Sequence, residues 1–142
     1  ARDTTSTIPV NMVCVDLQTV DIENASVVVL NFTLQFIPLT ERLDLIKRIY
    51  QGLNPGGILI LSEKIAFEEP GRQQLHDELH LDFKRANGYS QLEISQKRAA
   101  LEEVLIPDTL EQHRQRLSKA GFEQIEPWFQ AFNFASIAAV KK

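Results

Sequence analysis

At 142 residues, 44% of them hydrophobic and 24% charged, the chain has the size and balance of one soluble globular domain or part of one. A net charge of −4 lacks the basic excess by which proteins hold nucleic acid, and the apolar runs are too short to cross a membrane. Cys14 is the only cysteine, so no internal disulfide can form, and Ala1 to Ser6 contains no signal-peptide core. These features point to the cytoplasm. The missing initiator Met suggests cleavage, truncation or an upstream segment.

In chain order, Val10–Val15 reads as a short buried strand ending at Asp16. Ala25–Phe32 reads as a stronger one, because Val27 to Leu30 run without alternation, as in a parallel strand covered on both faces. Thr40 is placed to cap a helix with Leu43, Ile46, Ile49, Tyr50 and Leu53 at helical spacing. Asn54-Pro55-Gly56-Gly57 should stop it before a strand at Ile58–Leu61, which completes a βαβ unit.

Beyond Glu63 a helical insertion is expected over about residues 68–106. Its first helix, Gly71–Ala86, carries Leu75, Leu79 and Phe83 one turn apart. Ser90-Gln91-Leu92-Glu93 is a capping box opening a second helix to about Leu105. Asp108-Thr109-Leu110-Glu111 opens another, stopped at Gly121. Phe122–Phe129 and Phe132–Val140 then read as an antiparallel edge hairpin, with Pro127 suiting an edge. Trp128, Phe129, Phe132 and Phe134 are expected in its core.

Asp16 and Asn31 stand at or near strand carboxyl ends, where open α/β sheets bind ligands, although turn capping explains such residues equally well. His76 and His80 lie one helical turn apart, but no third ligand follows, so no metal site is expected. Lys84, Arg85, Lys97 and Arg98 gather positive charge around Asn87-Gly88. They form either a solvated surface or a seat for a carboxylate or phosphate. No Gly-x-Gly-x-x-Gly turn follows a first strand, so the chain contains no backbone cradle for a nucleotide-type cofactor.

Four stretches are more specific: LNFTLQF (Leu30 to Phe36), IYQGLNPGG with LSEK (Ile49 to Lys64), FKRANGYSQLEISQKR (Phe83 to Arg98) and AGFEQIEPWFQAFNF (Ala120 to Phe134). Together they resemble the carboxy-S-adenosyl-L-methionine synthases over nearly all of residues 10–142. The resemblance implies an α/β fold: the C-terminal part of a Rossmann-like class I methyltransferase fold, in the strand order 3-2-1-4-5-7-6. The first strands and the glycine-rich motif would precede residue 1. The whole chain would then be a single partial domain.

The resemblance further implies S-adenosyl-L-methionine and prephenate as substrates, and carboxy-S-adenosyl-L-methionine and phenylpyruvate as products. The carboxylated product would serve a partner enzyme that modifies wobble uridine in tRNA. By position, Asp16 and Leu17 would meet the adenine end of the cofactor and Asn31 the sulfonium end. Arg98, the candidate catalytic residue, would hold the added carboxylate. A homodimer with residues 71–105 in its interface is expected. The alternatives are an ordinary methyltransferase acting on a small molecule or tRNA, and a truncated non-catalytic dimerising domain.

Overall fold

A computed structural model describes residues 8–102 and 104–142, with only the backbone described at Arg98 and Glu102. The elements are β1 (Ala25–Asn31), α1 (Arg42–Gly52), β2 (Leu53–Ala66), α2 (Pro70–Ala86), α3 (Gln91–Glu102), β3 (Asp108–Thr109), α4 (Leu110–Ala120), β4 (Gln124–Ala131) and β5 (Phe134–Val140). The sheet order is β1-β2-β5-β4, with the short β3 beside the end of β2. β1 and β2 are parallel, so the expected βαβ unit is present, and β4–β5 is the expected antiparallel hairpin with β4 at the edge.

Alternation along the strands divides the sheet into two unlike faces. On one, Leu30, Leu59, Leu61, Ile125, Ile137 and Ala139 pack against Leu45, Ile46 and Ile49 of α1 and Leu117 of α4. Each such Leu or Ile stabilises the fold by about 1.5–3 kcal/mol through removal from water. Tyr50 and Phe122 meet edge to face, with centroids 5.0 Å apart, where α4 turns into β4. Gly121 makes that turn at φ 118, and a Cβ there would stand 2.8 Å from the Tyr50 ring. Thr109 and Gln112 form a reciprocal capping box on α4, as do Ser90 and Glu93 at the start of α3.

Several expectations are corrected. Residues 10–16 form no strand, and Met12 and Val13 are 79% and 73% exposed. A strand needs a ladder partner, and none of the described strands lies beside this segment. β1 is not covered on both faces: Val27 and Val29 are more than half exposed on the face opposite the core.

α1 begins at Arg42 without a side-chain cap from Thr40, and Leu53 already belongs to β2. Asn54 to Gly57 form an irregularity inside β2: the register steps from Ala25↔Leu53 to Val27↔Ile58, and Gly56 takes φ 78. Lys141 holds both sides of that step, donating to the Gly57 carbonyl and accepting from the Gly56 N–H. β2 also continues past Leu61 to Ala66, because β3 and β5 both give it partners. α3 is described as far as Glu102, and beyond it the Leu105 N–H donates to the Leu101 carbonyl at 2.9 Å, in keeping with an end near Leu105. Trp128 and Phe129 are exposed, since a bulge between Pro127 and Phe129 displaces the edge strand there.

Candidate functional site at the carboxyl ends of the strands

Asn31 ends β1 directly opposite Ser62 of β2. The Phe32 N–H still donates to the Ser62 carbonyl at 2.7 Å, but Phe32 itself has φ 51, which turns the chain out of the sheet. Thr33 Oγ1 donates back to the Asn31 carbonyl at 3.0 Å. The Asn31 side chain is thus left exposed at the strand end, in the region where this class of sheet binds ligands.

Two buried groups fix the loop after Asn31. Glu63, 2% exposed, accepts from the N–H groups of Thr33, Leu34 and Gln35 at 3.3, 2.9 and 3.1 Å. Its partner in reverse is Gln35, whose Oε1 accepts from the Lys64 N–H at 2.8 Å. Burial pushes the Glu63 carboxyl up to about 7, and the three backbone donors and Arg42 only partly offset this.

Arg42 is the second brace. Its Nε donates to the Ile37 carbonyl, and its NH2 to the Gln35 and Ile106 carbonyls, at 2.9, 3.1 and 2.8 Å. Its NH1 meets Asp108 at 2.6 Å, and Arg116 meets the same carboxylate oxygen at 2.7 Å. His113 lies in this network, and burial holds its imidazole down at about 4. The Asp108 charge opposes that shift, while Arg116 and Arg42 add to it.

On the other face of β2, Ser62 and Ser136 hydroxyls are 2.9 Å apart, and Lys64 stands opposite Phe134. α2 closes over this end of the sheet. His80 sits edge-on to Phe134 with centroids 5.0 Å apart, and Asn133 Nδ2 donates to Asp77 at 2.8 Å. His76 turns elsewhere and stacks on Phe67 at 4.4 Å, so the two histidines have separate surroundings. Among the described residues no group of three or more His, Cys, Asp and Glu is arranged to hold a metal ion.

His80 is held below its ordinary value by burial and then by Lys84 and Lys64, with Lys97 adding to the effect and Asp77 opposing it. Lys84 is likewise lowered by burial, Lys97 and Lys64. The positive cluster read from the sequence is therefore regrouped: Lys84 and Lys97 join Lys64 and His80, whereas Arg85 turns to Asp82 at 2.7 Å.

Asp16 caps a one-turn 3-10 helix, Leu17–Thr19, accepting from the Gln18 N–H at 2.9 Å. Leu17 packs on the main core, and Arg48 of α1 donates to the Gln18 carbonyl at 2.6 Å and also to that of Val20. No hydrogen bond or ion pair joins Asp16 to Asn31 among the described residues. Arg98 lies on α3 next to Lys97, and its side chain falls outside the described residues. A cleft of about 430 Å³ lined by Asp21, Glu23, Asn24 and Arg48 lies at the amino end of β1, the end opposite Asn31. Sequence reasoning missed Glu63, Arg42 and Lys64, whose significance comes from tertiary neighbours.

No family model matches the chain. The carboxy-S-adenosyl-L-methionine synthase of Geobacter metallireducens is 72% identical over 141 residues, or 99% of this chain and 58% of the relative. By sequence, this chain is similar to the carboxy-S-adenosyl-L-methionine synthases over nearly its whole length. The synthases of Trichlorobacter lovleyi and Shewanella frigidimarina are 70% and 62% identical, covering 98% and 96% of the chain but 57% and 56% of those relatives. The chain thus spans somewhat more than half the length of the curated relatives it matches.

Among solved structures, an O-methyltransferase family 2 protein from Planctomyces limnophilus, in complex with apigenin, aligns with a TM-score of 0.61 at 17% identity. The alignment covers 89% of this chain and 33% of that one. Human N-acetylserotonin methyltransferase, in complex with SAM, aligns with a TM-score of 0.59 at 18% identity, over 89% of this chain and 32% of that one. Identities this low show the fold alone: the chain has part of the class I methyltransferase fold.

Proposed function

We propose that this chain is the C-terminal portion of a carboxy-S-adenosyl-L-methionine synthase. The parent would convert S-adenosyl-L-methionine and prephenate to carboxy-S-adenosyl-L-methionine and phenylpyruvate. The observation that carries the reading is the 72% identity over 99% of the chain. In this reaction the carboxyl carbon lost from prephenate ends on the methyl carbon that the cofactor supplies. The displaced methyl proton and the prephenate hydroxyl leave as water.

The chain's own residues fit parts of that task. Asp16 uses one carboxylate interaction on Gln18 and keeps further acceptor capacity for an adenine amine, beside the apolar Leu17. Asn31 is exposed at the strand end and braced from below by Glu63, ready to orient the sulfonium end. Arg98 would hold the new carboxylate, a charge that S-adenosyl-L-methionine lacks at that carbon. The glycine-rich turn is not among these residues, so the chain alone should bind S-adenosyl-L-methionine weakly and be inactive.

Arg98 separates this reading from an ordinary methyltransferase, which needs no cation at the transferred carbon. The protein to use is this chain joined to the part of the Geobacter metallireducens relative that the match leaves out. There, Arg98→Ala should weaken carboxy-S-adenosyl-L-methionine about tenfold or more, the worth of a charge-assisted bidentate contact. Binding of S-adenosyl-L-methionine should change little. Calorimetry with both ligands checks this, and equal losses would favour the methyltransferase reading.

We also assign a cytoplasmic homodimer that touches no nucleic acid itself and passes its product to a tRNA-modifying enzyme. The apolar surface of the insertion supports the dimer: α2 buries no residue, and Leu75, Leu79 and Phe83, spaced one turn apart, are 53%, 43% and 53% exposed. A two-fold pairing of this stripe would cover it. Light scattering at micromolar concentration should give twice the monomer mass, and Leu79→Glu should return the monomer.

A further inference from the structure

Lys64, His80, Lys84 and Lys97 come from β2, α2 and α3, and the fold brings them into one another's field. The geometry is independent of any titration. Lys64 lies across the ladder from Phe134; His80 packs edge-on to the same ring; Lys84 follows His80 by one helical turn. His80 also lies over Phe132, with centroids 6.2 Å apart and the planes 28° from parallel. Phe83 meets Phe132 at 5.4 Å, and Phe32 meets Phe134 at 5.8 Å. Lys64 and Lys84 thus flank an aromatic wall, with the exposed Lys97 near them on α3.

No counter-ion answers them. None of the three lysines makes a salt bridge or side-chain hydrogen bond among the described residues. Asp77, the carboxylate that acts on His80, is already occupied: Asn133 donates to one oxygen and Gln73 to the other, at 2.8 and 2.9 Å. Lys64 and Lys84 are half-buried and Lys97 is exposed. Like charges without a partner repel, most of all where water is partly excluded, and a bound anion would remove that repulsion. Aromatic edges and faces beside the cations favour an anion that carries a flat apolar ring.

We propose that Lys64, His80 and Lys84 form a subsite for the carboxylate of a short side chain carried by an unsaturated or aromatic ring, with Phe132 and Phe134 against the ring. The inference deepens the synthase reading, on which its choice of ligand rests. The subsite is separate from the carboxylate assigned to Arg98. It would hold the acidic ring substrate and its ring product, rather than the cofactor.

The test is calorimetric titration of the 142-residue chain with phenylpyruvate, with inorganic phosphate as competitor and circular dichroism to verify folding. Saturable binding is expected. Lys64→Ala and Lys84→Ala should each raise Kd about tenfold, while Lys84→Arg retains binding. Lys119→Ala, on the helix covering the opposite sheet face, should leave Kd unchanged. The His80 imidazole, which faces Lys64, Lys84, Lys97 and Asp77, should titrate at higher pH when phenylpyruvate is bound, as seen by NMR. Absence of saturable binding would overturn the proposal, as would unchanged Kd in both alanine variants or displacement by phosphate at equal concentration. Lysine-dependent binding together with failure of the complete protein to make the carboxylated product would sink the synthase reading and leave the subsite standing. Product formation with unchanged binding in the lysine variants would do the reverse.

Discussion

Asp108→Ala should be the most damaging single change to the described fold, lowering unfolding free energy by about 3–5 kcal/mol, the usual cost of stranding a buried charge. Arg42 is 1% exposed and Asp108 3%, so neither can turn to water. The carboxylate oxygen that meets Arg42 at 2.6 Å also meets Arg116 at 2.7 Å, and its removal leaves two guanidinium groups unanswered. Asp108 also lies opposite Ile65 in the β2–β3 ladder, so the side chain joins α1, α4 and the strand end. Urea unfolding measures the loss. Asp108→Asn keeps an acceptor and should cost less, and removing the exposed Lys142–Glu123 pair should change stability negligibly. A loss below ~1 kcal/mol for Asp108→Ala would mean that the network does not hold these elements together.

The second large effect appears only when pH and substitution are combined. Glu63 has a folded-state value of about 7, above the ordinary 4.5, so between those values the native state holds a proton that the unfolded chain has released. Its contribution therefore falls as pH rises through that window, by on the order of 3 kcal/mol. His113 has the opposite sense. Its folded-state value of about 4 lies below the ordinary 6.5, so the unfolded chain binds the extra proton and stability rises with pH between them. The windows overlap, and the two slopes should nearly cancel in the unaltered chain.

Glu63→Gln removes one arm of this balance and should make stability climb from pH 4.5 to 6.5. His113→Gln should make it decline from pH 4.5 to 7. Both are read from urea midpoints across the range. A Glu63→Gln curve parallel to that of the unaltered chain would contradict the buried, proton-holding carboxyl.

Glu63 also shows where the sequence stops being readable. As a single letter after an apolar strand it looks like the point where β2 should end. Its partners are N–H groups about thirty residues earlier, in a loop whose turn depends on the left-handed Phe32. Local signals with local causes were legible: the apolar run of β1, the helical spacing of α1, the Ser90 box, and Pro127 on the edge strand. The Asp108–Glu111 pattern found the start of α4 one residue early, since Thr109 and Gln112 form its box and Asp108 turns to Arg42 and Arg116.

Features decided by distant partners were not. Val10–Val15 has strand composition but no ladder, and Val27 and Val29 have the composition of a doubly covered strand but one open face. Arg42 reads as an ordinary first-turn arginine until Asp108 and the 35–37 carbonyls surround it. The place of Asn31 at the carboxyl end of β1 was legible from the sequence. That of Lys64 was not, because only the β5 register sets it beside Phe134 and, through that ring, His80.

The most direct measurement is product analysis. This chain, joined to the part of the Geobacter metallireducens relative that the match leaves out, is incubated with S-adenosyl-L-methionine and prephenate and examined by mass spectrometry. The account predicts a cofactor species heavier by one carbon dioxide, appearing in step with phenylpyruvate and only when prephenate is present. A folded protein that binds S-adenosyl-L-methionine yet forms no such species, or that instead transfers its methyl group to an acceptor, would contradict it.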